Sequence, residues 1–240
     1  MKMKKKIFTI LSLIFLISCH ILPQNDKFYT NRTTIELGIV GKKEQSIRKT
    51  AFQTFGIPYY RKKIKLKSTI IPFTKHLFKH YKKMFPKSKT TFNDTLPTIP
   101  NFIEIEIIDK VSVIKAINTD NPFIFKYLKK SPRATLVTSI RLVANNTLQN
   151  KIQQADALYM KTDKHKKQWI YLYRNSKEIS TINLSETSIF EYKLSSFCWE
   201  ITPRKEIILA TILNESQNCS TNTQRNSQKL EEKLTNSFKF

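Results

Sequence analysis

Apolar and polar residues alternate by twos along several parts of this chain. The strongest case is 102–117, FIEIEIIDKVSVIKAI, in which Ile103, Ile105 and Ile107 alternate with glutamates. Because successive side chains of a strand point to opposite faces of a sheet, this alternation predicts a strand with one apolar face. Weaker or shorter alternation predicts three further strands, at 33–40, 61–67 and 134–144.

The C-terminal part of the chain contains a series of short apolar segments at regular spacing. They are WIYLYR, EISTINL, SIFEYKL, FCWEI and EIILATIL. Short strands that follow one another in this way are typical of an antiparallel meander.

Helical spacing, with apolar residues three and four apart, occurs between these strands. It predicts helices at 45–55, 72–85, 122–130 and 147–161. In the second of these, PFTKHLFKHYKKMF, we expect Pro72 in the first turn and Pro86 directly after the end. Strands in runs with a few helices between them predict an α+β fold, made mainly of antiparallel sheet with a few short helices.

The chain has one clear internal boundary. A loop rich in Thr, Ser, Pro and Asn lies at 87–101, yet the length suits one domain. We therefore expect a single α+β domain over 33–213, with a basic part at 45–93 and a sheet-rich part at 102–213.

The last residues, 214–240, form a polar tail. Only Leu230, Leu234 and Phe238 keep a spacing of four within it. This spacing predicts a loosely attached segment that ends in a short helix.

The first 18 residues have the layout of an export signal. MKMKKK contributes four lysines, and 7–17, IFTILSLIFLI, is an uncharged apolar stretch of eleven residues. That stretch is too short to span a bilayer as a helix, which needs about 20 residues. At its end, Leu16, Ile17, Ser18 and Cys19 resemble the lipobox of bacterial lipoproteins, where an aliphatic residue and a small residue precede the cysteine.

The resemblance covers only about the first twenty residues, and it implies a location. Cleavage before Cys19 would remove a signal helix at 1–18, and acyl chains such as palmitate on Cys19 would make 19–32 a lipidated tether. The implied place is a bacterial membrane outside the cytoplasm, with the outer membrane preferred and the periplasmic and surface faces both open. The alternatives are an ordinary signal peptide with an incidental cysteine, or a signal anchor. Together with an AT-rich residue bias, in which lysine outnumbers arginine 34 to 8, the signal is similar to that of spirochaetal lipoproteins.

Positive charge is concentrated in one segment of the chain. Without residues 1–18, 38 of the 42 basic side chains remain against 18 acidic ones, a net charge of +20. Between Glu44 and Asp94 there is no acidic residue, and 45–93 contains thirteen basic ones. A general lysine bias does not explain the local loss of acids, so the segment is a candidate for contact with anions.

Both elements predicted in this segment have two faces. On a strand at 61–67, Lys63, Lys65 and Lys67 would line one face about 7 Å apart. On a helix at 72–85, the lysines would lie opposite an apolar arc, as in helices that bind anionic membrane surfaces. The residues predicted to bind anions are Arg61, Lys62, Lys63, Lys65, Lys67, Lys75, Lys79, Lys82 and Lys83.

Several partners fit such a surface. Anionic phospholipid, phosphorylated or sulfated glycan, or a protein of an envelope complex would each complement the lysines. The alternative is an ordinary core helix with a solvated charged face. Nucleic acid fits the charge equally well, but an exported protein is kept away from it, so we expect no nucleic-acid partner.

Cys198 and Cys219 remain once Cys19 is assigned to lipid, and in an oxidising compartment such a pair can form a disulfide. Strand alternation in FCWEI would place Trp199 inward and Cys198 outward, within reach of the tail. Two free thiols are the alternative.

Signatures of catalysis are weak in this sequence. The three glycines form no GxSxG, Walker or dinucleotide motif, so we expect no enzyme activity and no cofactor. Asp156, Asp163 and His165 are a conceivable acid/base group. His76 and His80 are four apart, but they lack a third ligand nearby, so we expect surface histidines and no metal.

One face of WIYLYR, formed by Trp169, Tyr171 and Tyr173, is suited to sugar or protein binding, or else is covered by a neighbouring element. The sequence thus favours a membrane-anchored, non-enzymatic envelope lipoprotein that binds anionic material or a partner. An adhesin for host sulfated polysaccharide and a divergent hydrolase are the alternatives.

Overall fold

The computed structural model describes residues 27–30, 35–45, 50–94 and 99–236. The predicted signal peptide, Cys19 and Phe238 lie outside the described residues. So do Arg48 and Lys49 of the basic part.

The described residues form ten strands and five α-helices, which confirms the α+β class. In chain order they are β1 (Val40–Gln45), β2 (Thr50–Gly56), β3 (Ile64–Pro72), α1 (Lys75–Met84), β4 (Asn101–Ile107), α2 (Lys110–Asp120), α3 (Pro122–Lys129), β5 (Ala134–Val143), α4 (Asn146–Gln154), β6 (Ala157–Thr162), β7 (Gln168–Arg174), β8 (Lys177–Asn183), β9 (Ser188–Ile201), β10 (Ile207–Asn214) and α5 (Ser227–Asn236).

All ten strands belong to one antiparallel sheet with the order β10-β9-β5-β4-β3-β6-β7-β8. The sheet branches at β5, because β1 pairs with the first residues of β5 and β4 with the later ones. The hairpin β1–β2 extends from this branch. The predicted single C-terminal meander is wrong: β6-β7-β8 and β9-β10 lie at opposite ends of the sheet.

The strand predicted at 102–117 ends at Ile107, and its second half is helix α2. The cause is a helix cap, since the Asp109 side chain accepts a hydrogen bond from the Ser112 amide at 3.0 Å. Beyond the cap, Val113, Ala116 and Ile117 are spaced by three and four and are buried, as a helix requires.

Other element boundaries also differ from the prediction. The helix predicted at 147–161 ends at Gln154, and the following residues form β6. The helix predicted at 45–55 is wrong for its described C-terminal residues. Residues 50–55 lie in strand β2, which pairs with β1. Of the strand predicted at 33–40, residues 35–39 are not strand, and β1 begins at Val40.

A turn explains the late start of β1. Gly38 has a φ of 79°, a left-handed conformation that favours glycine. A Cβ at this position would also lie 2.8 Å from the terminal methyl of Met160. The chain therefore turns at Leu37–Gly38, directly ahead of β1.

Helix α1 begins later than predicted, because Pro72 is the last residue of β3. Thr74 is the N-cap, and its hydroxyl accepts a hydrogen bond from the Leu77 amide at 3.2 Å. The segments SIFEYKL and FCWEI, predicted as two strands, form the single strand β9. Most of β9 is buried on both faces, and its Trp199 is among the largest fully buried side chains.

The C-terminal tail is tightly attached, contrary to the prediction. Cys198 and Cys219 form a disulfide, and Cys198 is fully buried rather than turned outward. Gln224 then exchanges two backbone hydrogen bonds with Trp199, each of 2.8 Å. Leu230 of α5 packs into the main core, so the predicted short helix belongs to the fold.

Candidate functional site

The basic segment supplies an exposed row of lysines on β3. Ile64 and Leu66 are buried, whereas Lys63 at the entry to the strand and Lys65 and Lys67 within it are exposed. This alternation is the one predicted from the sequence, and it follows from the period of two of a strand.

Strand β6 places tyrosines beside these lysines. Lys65 lies opposite Tyr159 of β6, which in turn lies opposite Tyr171 of β7. Strand alternation puts Tyr173 on this same side, and all three tyrosines are half-exposed. We call this surface the lysine–tyrosine face, made of Lys63, Lys65, Lys67, Tyr159, Tyr171 and Tyr173.

Lys63 contacts the aromatic residues directly. Its Nζ lies 4.2 Å from the ring centre of Tyr173 and 6.0 Å from that of Tyr159, and it donates a hydrogen bond to the Tyr173 hydroxyl. That hydrogen bond contributes most to raising the pKa of Lys63 above its ordinary value. The two tyrosine rings meet edge to face at 5.6 Å.

Acidic groups border this face on two sides. Glu106 lies opposite Lys67 in the β3–β4 pairing, and Glu178 accepts a hydrogen bond from the Tyr173 hydroxyl at 3.2 Å. Glu106 therefore offsets part of the charge of Lys67, and Glu178 part of the charge of Lys63, while Lys65 lies between them beside the tyrosine rings.

The sequence did not reveal a charged network on the neighbouring strands. Arg141 binds Glu104 at 3.0 Å and Glu191 at 2.9 Å, and Lys193 binds Glu104 at 3.1 Å. The ring of Phe28 lies 3.4 Å from the Arg141 guanidinium carbon and covers the network. No local signal links these residues, because they meet only through the pairing of β4, β5 and β9.

The apolar side of α1 is not available to a membrane. Phe78 and Tyr81 pack in an aromatic cluster with Phe73, Phe102 and Phe190, which is the core-helix alternative considered for this segment. The amphipathic pattern therefore reflects packing against the sheet.

The lysines of α1 stay on the outer surface of the helix. Lys75 forms an ion pair with Asp94 at 3.6 Å, and Lys82 donates to the Ser88 carbonyl at 2.6 Å. Lys79 and Lys83 are exposed. Phe102, on which α1 packs, is on the same side of β4 as Glu104 and Glu106, so α1 and the lysine–tyrosine face share one side of the sheet.

Arg61 and Lys62 lie apart from the other predicted anion-binding residues. They line a cleft of about 390 Å³ between the entry to β3 and helix α2, together with Lys115 and Asp120. The nine predicted residues thus form three groups, and among the nine it is Lys63 of the β3 group that lies over aromatic rings.

The structure does not bring the conceivable acid/base residues together. Asp156 and Asp163 flank the six-residue strand β6, which at about 3.3 Å per residue separates them by roughly 20 Å. Asp156 accepts a hydrogen bond from the Asn175 amide at 2.7 Å.

Asp163 organises the turn between β6 and β7. It accepts hydrogen bonds from the amides of His165 and Lys167 and from the indole of Trp169. The hydrogen bond from the Lys167 amide contributes most to lowering the pKa of Asp163. The hydrogen bonds from the Trp169 indole and the His165 amide lower it further. A carboxylate used in this way stabilises a turn and is a poor proton acceptor.

The two histidines of α1 are a half-buried His80 and an exposed His76. Within the described ranges, no three His, Cys, Asp or Glu side chains gather in a way that could hold a metal ion. Among the same residues, no helix is both long and apolar enough to cross a bilayer.

No protein-family model matches this chain, and no curated protein shows significant similarity to it.

Proposed function

We propose that this chain is a lipid-anchored envelope protein of a bacterium that acts as a non-enzymatic binding module. The lipobox-like residues that end at Cys19 support the anchor, and the net charge of +20 without residues 1–18 supports an anionic partner. The anchor places the module at a membrane outside the cytoplasm, with the outer membrane preferred. Several acyl chains on one residue hold a protein at a bilayer stably.

The observation on which the binding role rests is the lysine–tyrosine face. Lys63 and Lys65 present ammonium groups beside half-exposed tyrosine rings on an open sheet surface. Phosphate or sulfate groups of envelope lipid or glycan bind the lysines, and each lysine near an anionic surface contributes about 1 kcal/mol. Salt screens this attraction over a distance of about 10 Å at 0.1 M.

A second candidate is a surface adhesin for host sulfated polysaccharide. It uses the same face from the outer side of the cell, and the tyrosine rings favour it because sugar rings pack against aromatic side chains. Protease digestion of intact cells separates the two, since only a surface-exposed module is cleaved.

Anion binding is tested with a variant in which neutral glutamines replace the three lysines of the face. In the chain without lipid, made by Cys19→Ser, the triple substitution Lys63→Gln, Lys65→Gln and Lys67→Gln should weaken retention on phosphatidylglycerol vesicles at low salt, and the difference should shrink as salt is added. The matched control replaces three exposed lysines elsewhere with glutamine: Lys177, Lys229 and Lys233.

The two triples change the net charge equally, so a difference between them reports position. Three lysines at about 1 kcal/mol each correspond to a loss of roughly 100-fold in affinity. Equal retention of both variants and the wild type at low salt would remove the lysine–tyrosine face as the binding site.

A further inference from the structure

A second surface, on helix α3, displays apolar residues to solvent. Phe123 is 89% exposed and Tyr127 is 53% exposed. With Phe55, Ile57 and Ile124 they line a groove of about 290 Å³. We call these five residues the α3 patch. An exposed aromatic cluster is informative, because soluble surfaces rarely leave such groups together.

The helix that presents this patch is held firmly from behind. Leu128 is buried, and the Phe125 ring packs on Trp199 with their centres 5.5 Å apart. At the end of the helix, Lys129 pairs with Glu231 of α5 at 2.8 Å, and the Ser227 hydroxyl donates to the Lys129 carbonyl. The exposure of Phe123 therefore belongs to a fixed helix.

The surroundings of the patch are basic. No acidic residue occurs between Asp120 and Asp156 in the sequence, a second acid-free stretch that signals this region. Exposed cations lie on α3 and directly after it, and Lys166 of the β6–β7 turn borders the groove. The cations are Lys126, Lys130, Arg133 and Lys166.

Three described acids lie near α3. Asp120 precedes the helix and is exposed, Glu231 is bound to Lys129, and Glu206 lines a cleft with Phe125 and Lys129, away from the groove at Phe123. The balance around the aromatic rings is thus positive. Aromatic side chains flanked by lysine and arginine match the interface of an anionic bilayer, where rings enter the headgroup region and cations bind lipid phosphates.

We propose that the α3 patch docks onto an anionic lipid bilayer, with Phe123 and Tyr127 in the headgroup region and the four cations on lipid phosphates. It shares no residue with the lysine–tyrosine face. The docked patch sets the orientation of the protein body on the membrane, which acyl chains on Cys19 alone do not do.

The test places an environment-sensitive label at Phe123 of the full chain. Phe123→Cys, labelled with a nitrobenzoxadiazole, replaces an exposed residue and so leaves the core intact. Thr181→Cys is the matched control, because Thr181 is exposed in β8 opposite Tyr171, on the side of the lysine–tyrosine face. Both labelled variants also carry Lys63→Gln, Lys65→Gln and Lys67→Gln, so that this face does not itself hold the vesicles. Wild type treated with the same reagent checks that no native thiol takes up the label.

Docking onto vesicles of phosphatidylglycerol and phosphatidylethanolamine should shift the emission of the label at 123 to the blue and make it sensitive to lipid-borne quenchers. The label at 181 should not change. Adding Lys126→Gln or Lys130→Gln to the 123 variant should lower the ratio of docked to undocked patch by about fivefold per lysine.

Three results would overturn the inference: no change at 123 while the protein cosediments with the vesicles, a change at 181 instead, or an equal change with neutral phosphatidylcholine. None of them bears on the variants of the lysine–tyrosine face, whose retention is measured separately. Failure of one proposal is therefore distinguishable from failure of the other.

Discussion

The disulfide between Cys198 and Cys219 should contribute a large part of the stability of the C-terminal region. The two residues are 21 apart in sequence, so the bond closes a loop of about this length in the unfolded chain. The entropy lost by an unfolded chain with such a loop corresponds to about 3 kcal/mol at 25 °C. We expect the double substitution Cys198→Ala and Cys219→Ala to lower the free energy of unfolding by this amount.

The loss should appear first in the tail. After Cys219 the chain is held by backbone hydrogen bonds between Gln224 and Trp199, by the burial of Leu230 and by the ion pair between Lys129 and Glu231. Without the disulfide, these contacts have to overcome a larger loss of chain entropy when the tail docks. Amide hydrogen exchange in α5 should therefore accelerate more than exchange in β4.

The measurement is urea unfolding of the full chain followed by tryptophan fluorescence. Wild type with a thiol reductant present throughout is the control, and it should unfold at the midpoint of the double variant. An unchanged midpoint and slope in the double variant would refute the argument that loop closure holds the tail in place.

Three further outcomes are expected from unfolding measurements. Gly41→Ala should lower the free energy of unfolding by about 1–3 kcal/mol, because the added Cβ would overlap the Gln53 carbonyl. Gly56→Ala should change it by less than about 1 kcal/mol, because its Cβ would lie 3.5 Å from Ile124. Arg141→Ala should cost about 3 kcal/mol by urea unfolding, since it leaves Glu191 without its cation and Glu104 with Lys193 alone; a loss below about 1 kcal/mol would contradict this. Burial raises the pKa of Tyr192 to about 12. Its unfolded form ionises near pH 10, so stability should fall between pH 10 and 12, and Tyr192→Phe should flatten that fall.

The exposed lysine row was predictable because it depends only on local alternation. Ile64 and Leu66 point inward and Lys65 and Lys67 outward wherever β3 lies at the surface of a sheet. The same rule failed after Ile107, where the cap formed by Asp109 ended the strand and began a helix. A short apolar run fits a strand and a buried helix almost equally well, so the cap decided the outcome.

The amphipathic helix α1 was also predicted correctly as an element, but the side chains on which it packs were not. Its apolar arc fits a membrane surface and an aromatic cluster equally well in one dimension. Phe102 and Phe190, which are far apart from it in sequence, cover that arc in the fold. The α3 patch shows the opposite case. Part of the apolar side of α3 is not packed against any of the described residues and is exposed to solvent.

The order of residues along the chain was enough to establish charge density, strand period and the lipobox-like segment, because each depends on neighbours within a few residues. Tertiary structure decided which surfaces those elements form. Lys63 reaches Tyr173, 110 positions further along, only because β3, β6 and β7 are neighbours in the sheet. Pairing of distant strands depends on the competition among all registers and connections of the chain, and no short stretch of sequence contains that information.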